Sequence, residues 1–240
     1  MVGADGKKEV RMAGWRGALI ALTLIPRAAL AQEAPEAEVT KPNLTAAGSG
    51  QPGGVAALTF AQRLFVLGKA QHDAQSVLSA ARLARSVLLR ETQMPKVVAD
   101  ETEASPASSA VPPDPAAMLE LARNYAGNDE TLLLLVDAAE RETQNGGLTA
   151  AWSPGLVQPG QSERWSVPFF GAALAEIGVI GKDGATLDLR ITDETNLTIC
   201  QESGPADVGY CGWYPARNGH FTVTVTNTGT IAQNYVLLAN

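Results

Sequence analysis

The apolar positions of this chain change period once, near Gly146, and the change divides it into a helical part and a strand part. In residues 186–192, Leu187, Leu189 and Ile191 fall on one face and Thr186, Asp188, Arg190 and Thr192 on the other. Phe221, Val223 and Val225 alternate with Thr222, Thr224 and Thr226 in the same way. A period of two rich in β-branched residues predicts half-buried strands. Strands are predicted at 148–152, 162–169, 174–180, 185–192, 195–200, 209–214, 220–227 and 233–239. The turns between them include Lys182-Asp183-Gly184, Arg217-Asn218-Gly219 and Asn227-Thr228-Gly229. Short strands at this spacing make residues 148–240 an antiparallel, jelly-roll-like β-sandwich.

Before Gly146 the apolar residues recur at three and four. Leu58, Ala61, Leu64, Phe65 and Gly68 mark a first helix that Gly68-Lys69 breaks. A second runs from an Asp73 N-cap to Arg90, with Val77, Leu78, Ala81, Ala84, Leu88 and Leu89 as its stripe. Asp114-Pro115 opens a third helix through Tyr125, and Asn128 or Asp129 caps a fourth through Leu132, Leu133, Leu134 and Leu135 to Ala139. Between the pairs, residues 92–113 carry Pro95, Pro106, Pro112 and Pro113 and read as a mobile Pro/Ser-rich loop. Sliding one helical pair by 56 positions aligns Ala70 with Ala126, Asp73 with Asp129 and Leu78 with Leu134. The echo is weakly tetratricopeptide-like, but the signature residues are mostly missing and at least three repeats are normally needed. The expectation for 55–145 is a helical mini-bundle. The fold class is α+β, and the switch of period predicts separable domains.

The N-terminus sets the compartment. Lys7, Lys8, Arg11 and Arg16 precede the apolar run 18–25, which ends towards Ala29-Leu30-Ala31. This order of basic, apolar and small residues predicts a signal peptide over 1–31, translated from Met1 or Met12, and a periplasmic or secreted protein. Residues 32–54 are rich in Ala, Glu, Pro, Gly and Ser, and are read as a disordered linker. No run is long enough to span a membrane. Removing 1–31 deletes five of 18 basic and two of 25 acidic residues, leaving 13 against 23 and a formal net charge of −10. Such a surface offers few cations to replace the counterions of a nucleic acid, which is excluded as a partner.

Export gives meaning to the two cysteines, because disulfides persist outside the cytosol. Cys200 and Cys211 are not spaced as a Cys-x-x-Cys redox pair, and a metal site needs more nitrogen or sulfur ligands nearby. A structural bridge between neighbouring strands is expected, and closing so short a loop contributes about 2–3 kcal/mol.

Other candidate chemistry is sparse. His72 and His220 fall in different parts of the chain, and no Gly-x-Ser-x-Gly elbow, Walker loop, dinucleotide fingerprint or His-Glu-x-x-His is present. Asp188, Asp193, Glu194 and Asp207 are candidate oxygen ligands for calcium, though without EF-hand spacing. Trp213 and Tyr214 are candidate stacking residues for a glycan, with the sandwich core as the competing place for the tryptophan. Asn43-Leu44-Thr45 and Asn196-Leu197-Thr198 match glycosylation acceptors.

From residue 162 onward the order of features resembles the bacterial pre-peptidase C-terminal domain. The resemblance rests on Leu187-Asp188-Leu189-Arg190-Ile191-Thr192-Asp193-Glu194, on Cys200 and Cys211, and on Trp213-Tyr214-Pro215 followed by Gly219-His220-Phe221-Thr222-Val223. Asn234-Tyr235-Val236-Leu237-Leu238 completes the set. It implies a small jelly-roll-like sandwich with an accessory role in binding or secretion. Some relatives bind calcium, and many begin the first motif Asp-Leu-Asp-Leu, where this chain has Thr186-Leu187-Asp188-Leu189 and so lacks the first carboxylate. The helical part joined to such a sandwich also looks like a family of exported proteobacterial proteins. Two functions follow. One is an exported non-enzymatic binding protein whose partner is an envelope protein or a glycan. The alternative is a secreted carboxylate-dependent hydrolase, or a calcium-binding accessory domain of a hydrolase system.

Overall fold

A computed structural model describes residues 41–45, 51–97, 109–142, 147–182, 184–204 and 207–240, all within one compact unit, Thr40–Asn240. The expected signal peptide lies outside the described residues, as does 98–108 of the Pro/Ser-rich loop. Four helices are followed by a β-sandwich of two sheets, so the fold class is α+β.

Three of the four helices begin where the caps were expected. Asp73, Asp114 and Asp129 accept backbone N–H bonds at the starts of α2 (Ala74–Arg85), α3 (Pro115–Ala126) and α4 (Glu130–Arg141). The first helix, α1 (Gly54–Gln71), does not break at Gly68-Lys69. It ends at His72, whose left-handed backbone lets the Asp73 N–H donate to the Gly68 carbonyl. The second expected helix is too long by a strand. Residues 87–91 form β1 (Val87–Glu91), which pairs in parallel with β2 (Leu148–Val157). Leucines 88 and 89 fit a helix by propensity, but the open edge of β2 offers a ladder that helix propensity, worth under ~1 kcal/mol per residue, does not outweigh.

The remaining strands are β3 (Ser162–Phe169), β4 (Ala175–Gly181), β5 (Leu187–Thr192), β6 (Thr198–Glu202), β7 (Val208–Trp213), β8 (Gly219–Asn227) and β9 (Gln233–Ala239). One sheet has the order β1-β2-β9-β4-β7 and the other β3-β8-β5-β6. Without β1 these are the two four-stranded sheets of a jelly roll. The alternating sets read from the sequence, Leu187, Leu189, Ile191 and Phe221, Val223, Val225, all point into the core between the sheets. Their polar partners face outward, where Thr222, Thr224 and Thr226 are half-buried.

The five-stranded sheet is covered on its other face. Ala150, Ile180, Val208, Val236 and Leu238 pack in one cluster with Val55, Leu58, Val77 and Leu119 of the helices. Gly178 of β4 marks the seat of α1, since a Cβ there would lie 2.8 Å from side-chain atoms of both Val55 and Thr59. The helices therefore share a core with the outer face of this sheet.

Both open sides of the sandwich are closed. Cys200 on β6 is bonded to Cys211 on β7, with Cα atoms 6.2 Å apart. These strands are not neighbours in one sheet, as expected, but the edges of opposite sheets. On the far side, residues 92–97 cross from β1 to β3. The Ser166 N–H donates to the Pro95 carbonyl, the Val97 N–H donates to the Arg164 carbonyl, and Lys96 bridges Trp165. The Lys96 ammonium lies 4.6 Å from the Trp165 ring centroid and 2.6 Å from Glu163. This part of the expected mobile loop is a pinned strap.

Candidate functional site

The ends of the sandwich are built from loops, and at one end they border an open cleft of about 610 Å³. Its walls come from the β4–β5, β6–β7 and β8–β9 connections. Asn227, fully buried, organises the last of these. Its side-chain amide donates to the carbonyls of Val157 (3.1 Å) and Ile231 (2.7 Å), and its side-chain oxygen accepts from the Gly229 N–H (2.9 Å). Thr228 then joins two loops, because its N–H and its hydroxyl both donate to the Thr186 carbonyl, at 3.0 and 3.2 Å. Gly229 packs so closely on the Thr186 hydroxyl that a Cβ would displace it. Asp188, on the outer face of β5, accepts from the Gly204 N–H at 3.1 Å and holds the third wall. The resulting lining is Thr186, Asp188, Thr228, Thr230, Ile231 and Gln233, with glycines 184, 204 and 229 between them. Ile231 is 66% exposed.

The candidate calcium ligands do not converge there. Asp188 and Asp193 flank opposite ends of the core of β5. Asp193 is buried, and both its carboxylate oxygens are taken. Oδ1 accepts from the N–H and hydroxyl of Thr195 and from the Leu197 N–H, and Oδ2 accepts from the Asn43 N–H. Burial raises its pKa, but these four bonds together outweigh burial and hold it below the ordinary aspartate value. Glu194 accepts from its own backbone N–H, is ion-paired with Arg217 and accepts from the Asn43 amide, which also lowers its pKa. Asp207 uses its backbone carbonyl to accept from the Gly181 N–H. Among the described residues no three His, Cys, Asp or Glu side chains gather as a metal site. The turn organised by Asp193, with Asn196 at φ 63°, also explains why β6 starts at Thr198 rather than at 195.

Trp213 is a core residue. Its ring packs edge-on against Phe169 and Phe221 at centroid distances of 5.0 and 5.2 Å, which leaves no face for a ligand. Tyr214 is half-buried, and its carbonyl accepts from the Thr45 N–H. That bond belongs to an unexpected docking. Residues 41–45 lie in the expected linker, yet Asn43 is fully buried against the sandwich. Its amide mimics a strand partner, donating to the Arg217 carbonyl (3.1 Å) while accepting from the Arg217 N–H (3.0 Å).

Sequence reasoning missed one buried acid. Glu176 lies on the helix-facing side of β4, where Oε1 accepts from the Gly53 N–H and from the Tyr210 hydroxyl, both at 2.9 Å. It thereby caps α1, whose N-cap Gly53 has no side chain to do so. Burial, then the Glu176 charge, pushes the Tyr210 pKa up. Oε2 has no partner among the described residues, and the described clefts do not reach it. The signal was a single charge inside the otherwise apolar run Ala175-Glu176-Ile177-Gly178-Val179-Ile180.

No family model matches the chain, and no curated protein is similar to it in sequence. Among solved structures it is similar to the pre-peptidase C-terminal domain of a collagenase from Bacillus anthracis, at 13% identity and a TM-score of 0.32. That match covers 37% of this chain and 87% of the other. A periplasmic inhibitor of g-type lysozyme, PliG from Aeromonas hydrophila, matches at 10% identity and a TM-score of 0.29, over 38% and 84%. TmCBM61, solved with β-1,4-galactotriose, matches at 14% and 0.23, over 35% and 63%. These partial likenesses concern the fold.

Proposed function

We propose that the chain is an exported, non-enzymatic binding protein that engages an envelope protein or a glycan through the cleft at the Asn227 end of the sandwich. The observation that carries this reading is the cleft itself: braced by hydrogen bonds from Asn227, Thr228 and Asp188, and lined, among the described residues, by neutral polar groups and one carboxylate, Asp188. Glycoside hydrolysis uses two carboxyl groups about 5–10 Å apart across the bond. Among the described residues no second carboxylate lines this cleft, and the buried Glu176 faces a helix end. Export is supported by the ordered N-terminal signal features and the Cys200–Cys211 bridge. No helix among the described residues is long and apolar enough to cross a membrane.

The test is a pull-down from envelope extract with the mature chain beginning near Gln32, run beside a Thr228→Val/Asp188→Asn variant of equal melting temperature. A partner retained by the first protein and lost by the second is the expected result. Equal capture by both would place the interaction elsewhere, and turnover on a hydrolase panel that the variant loses would make the protein an enzyme.

A further inference from the structure

We infer that the ligand of the cleft is a neutral, hydroxyl-rich chain, a short oligosaccharide, rather than a charged peptide or anion. This rests on the reading of the cleft as the binding site and goes beyond it by naming the ligand's chemistry. The lining groups decide among the classes. Among the described lining residues there is no Lys or Arg, and Asp188 stands among them, so an anion meets repulsion and no partner there. Among the described residues a cation finds one carboxylate, and that carboxylate already accepts from the Gly204 N–H. An apolar ligand would bury Thr186, Thr228, Thr230 and Asp188 without replacing their bonds to water, which is unfavourable for each group.

A polyol satisfies them all. The Thr228 hydroxyl donates to the Thr186 carbonyl, so its lone pairs are turned to accept from a ligand hydroxyl. Asp188 accepts a second such bond. The Thr186 and Thr230 hydroxyls can each donate or accept, as sugar hydroxyls do. Ile231 supplies the apolar contact that the C–H face of a pyranose needs. The volume of about 610 Å³ lies within the range of small-ligand sites. Because Asn227 and Thr228 already hold the β8–β9 connection against Thr186, little ordering of that wall remains to be done on binding.

The experiment is a titration of the mature chain, ¹³C-labelled at Thr and Ile methyls, followed by NMR. The probes are cellotriose, maltotriose and the β-1,4-linked N-acetylglucosamine trimer, with trigalacturonate and trilysine as charged counterparts. The expected result is that a neutral trisaccharide moves the methyls of Thr186, Thr228, Thr230 and Ile231, and that Thr228→Val weakens its binding by about tenfold, the effect of one lost hydrogen bond. If trilysine or trigalacturonate moves these methyls and the neutral sugars do not, the ligand class is wrong and the cleft remains the site. If no probe moves them, or only methyls elsewhere respond, the inference and the reading beneath it both fall. Asp188→Asn serves as a second variant should Thr228→Val fold poorly.

Discussion

Replacing both cysteines by alanine removes the disulfide that ties the edges of the two sheets together. Alanine is preferred to serine because Cys211 is buried, and a hydroxyl there would add an unpaired polar group. The bridge joins residues 11 apart in sequence. In the chain-entropy treatment, a closed loop of that length contributes about 3 kcal/mol at 25 °C. For a unit of this size, 1 kcal/mol moves the melting midpoint by about 2–4 °C, so the expected fall is roughly 6–12 °C. The bridge spans the edges of opposite sheets, so the loosening should begin there. Native-state hydrogen exchange should show protection lost first on β6 and β7, while β8 and β9 in the sheet interiors keep theirs. The assay is differential scanning calorimetry of the oxidised wild type and the double variant, with exchange followed by NMR. A midpoint that moves by less than about 2 °C refutes the reasoning, since the denatured chain would then gain nothing from the missing loop.

Three other outcomes follow from particular residues. The Tyr210 pKa is raised in the fold, so its contribution is fully present below the unfolded value near pH 10 and is lost as pH rises through the folded value; ultraviolet titration should find Tyr210 un-ionised where a free tyrosine has titrated, and Tyr210→Phe should cost about 1–3 kcal/mol in urea unfolding by leaving Glu176 one bond short. The Asp193 pKa is depressed, so its contribution is present above the unfolded value near 4 and is lost as pH falls through the folded one; Asp193→Asn should be less stable than wild type at pH 7 and should flatten the acid limb of the stability curve. A fragment of residues 150–240, deprived of α1, exposes Ile180, Val208, Val236 and Leu238, so it should show strand circular dichroism with poorly dispersed amide signals, whereas a sharp native spectrum would mean that the helices add nothing to the sandwich.

What the order of residues determined alone was whatever depends on local spacing. Strict alternation in residues 187–191 and 221–225 set the inward face of β5 and β8, because side chains on a strand alternate whatever the strand packs against. Asp73, Asp114 and Asp129 announced their helices, because a cap bonds to amides two or three residues away. The cysteine pair was legible as a bridge from its spacing and from the compartment that the N-terminal residues predict. Everything that depends on a distant partner was decided by the tertiary structure. Residues 87–91 became a strand because β2 offered them an edge, and the bridge joined opposite sheets because β6 and β7 end a jelly roll on the same side. Asn43 found its partner 174 residues away and Glu176 found its own 123 away, neither within reach of any local pattern. The cleft belongs to the same class. Thr186, Asp188, Gly204 and Thr228 meet only because three connections of the jelly roll share one end, where the sheet order brings strand ends together that the chain holds far apart.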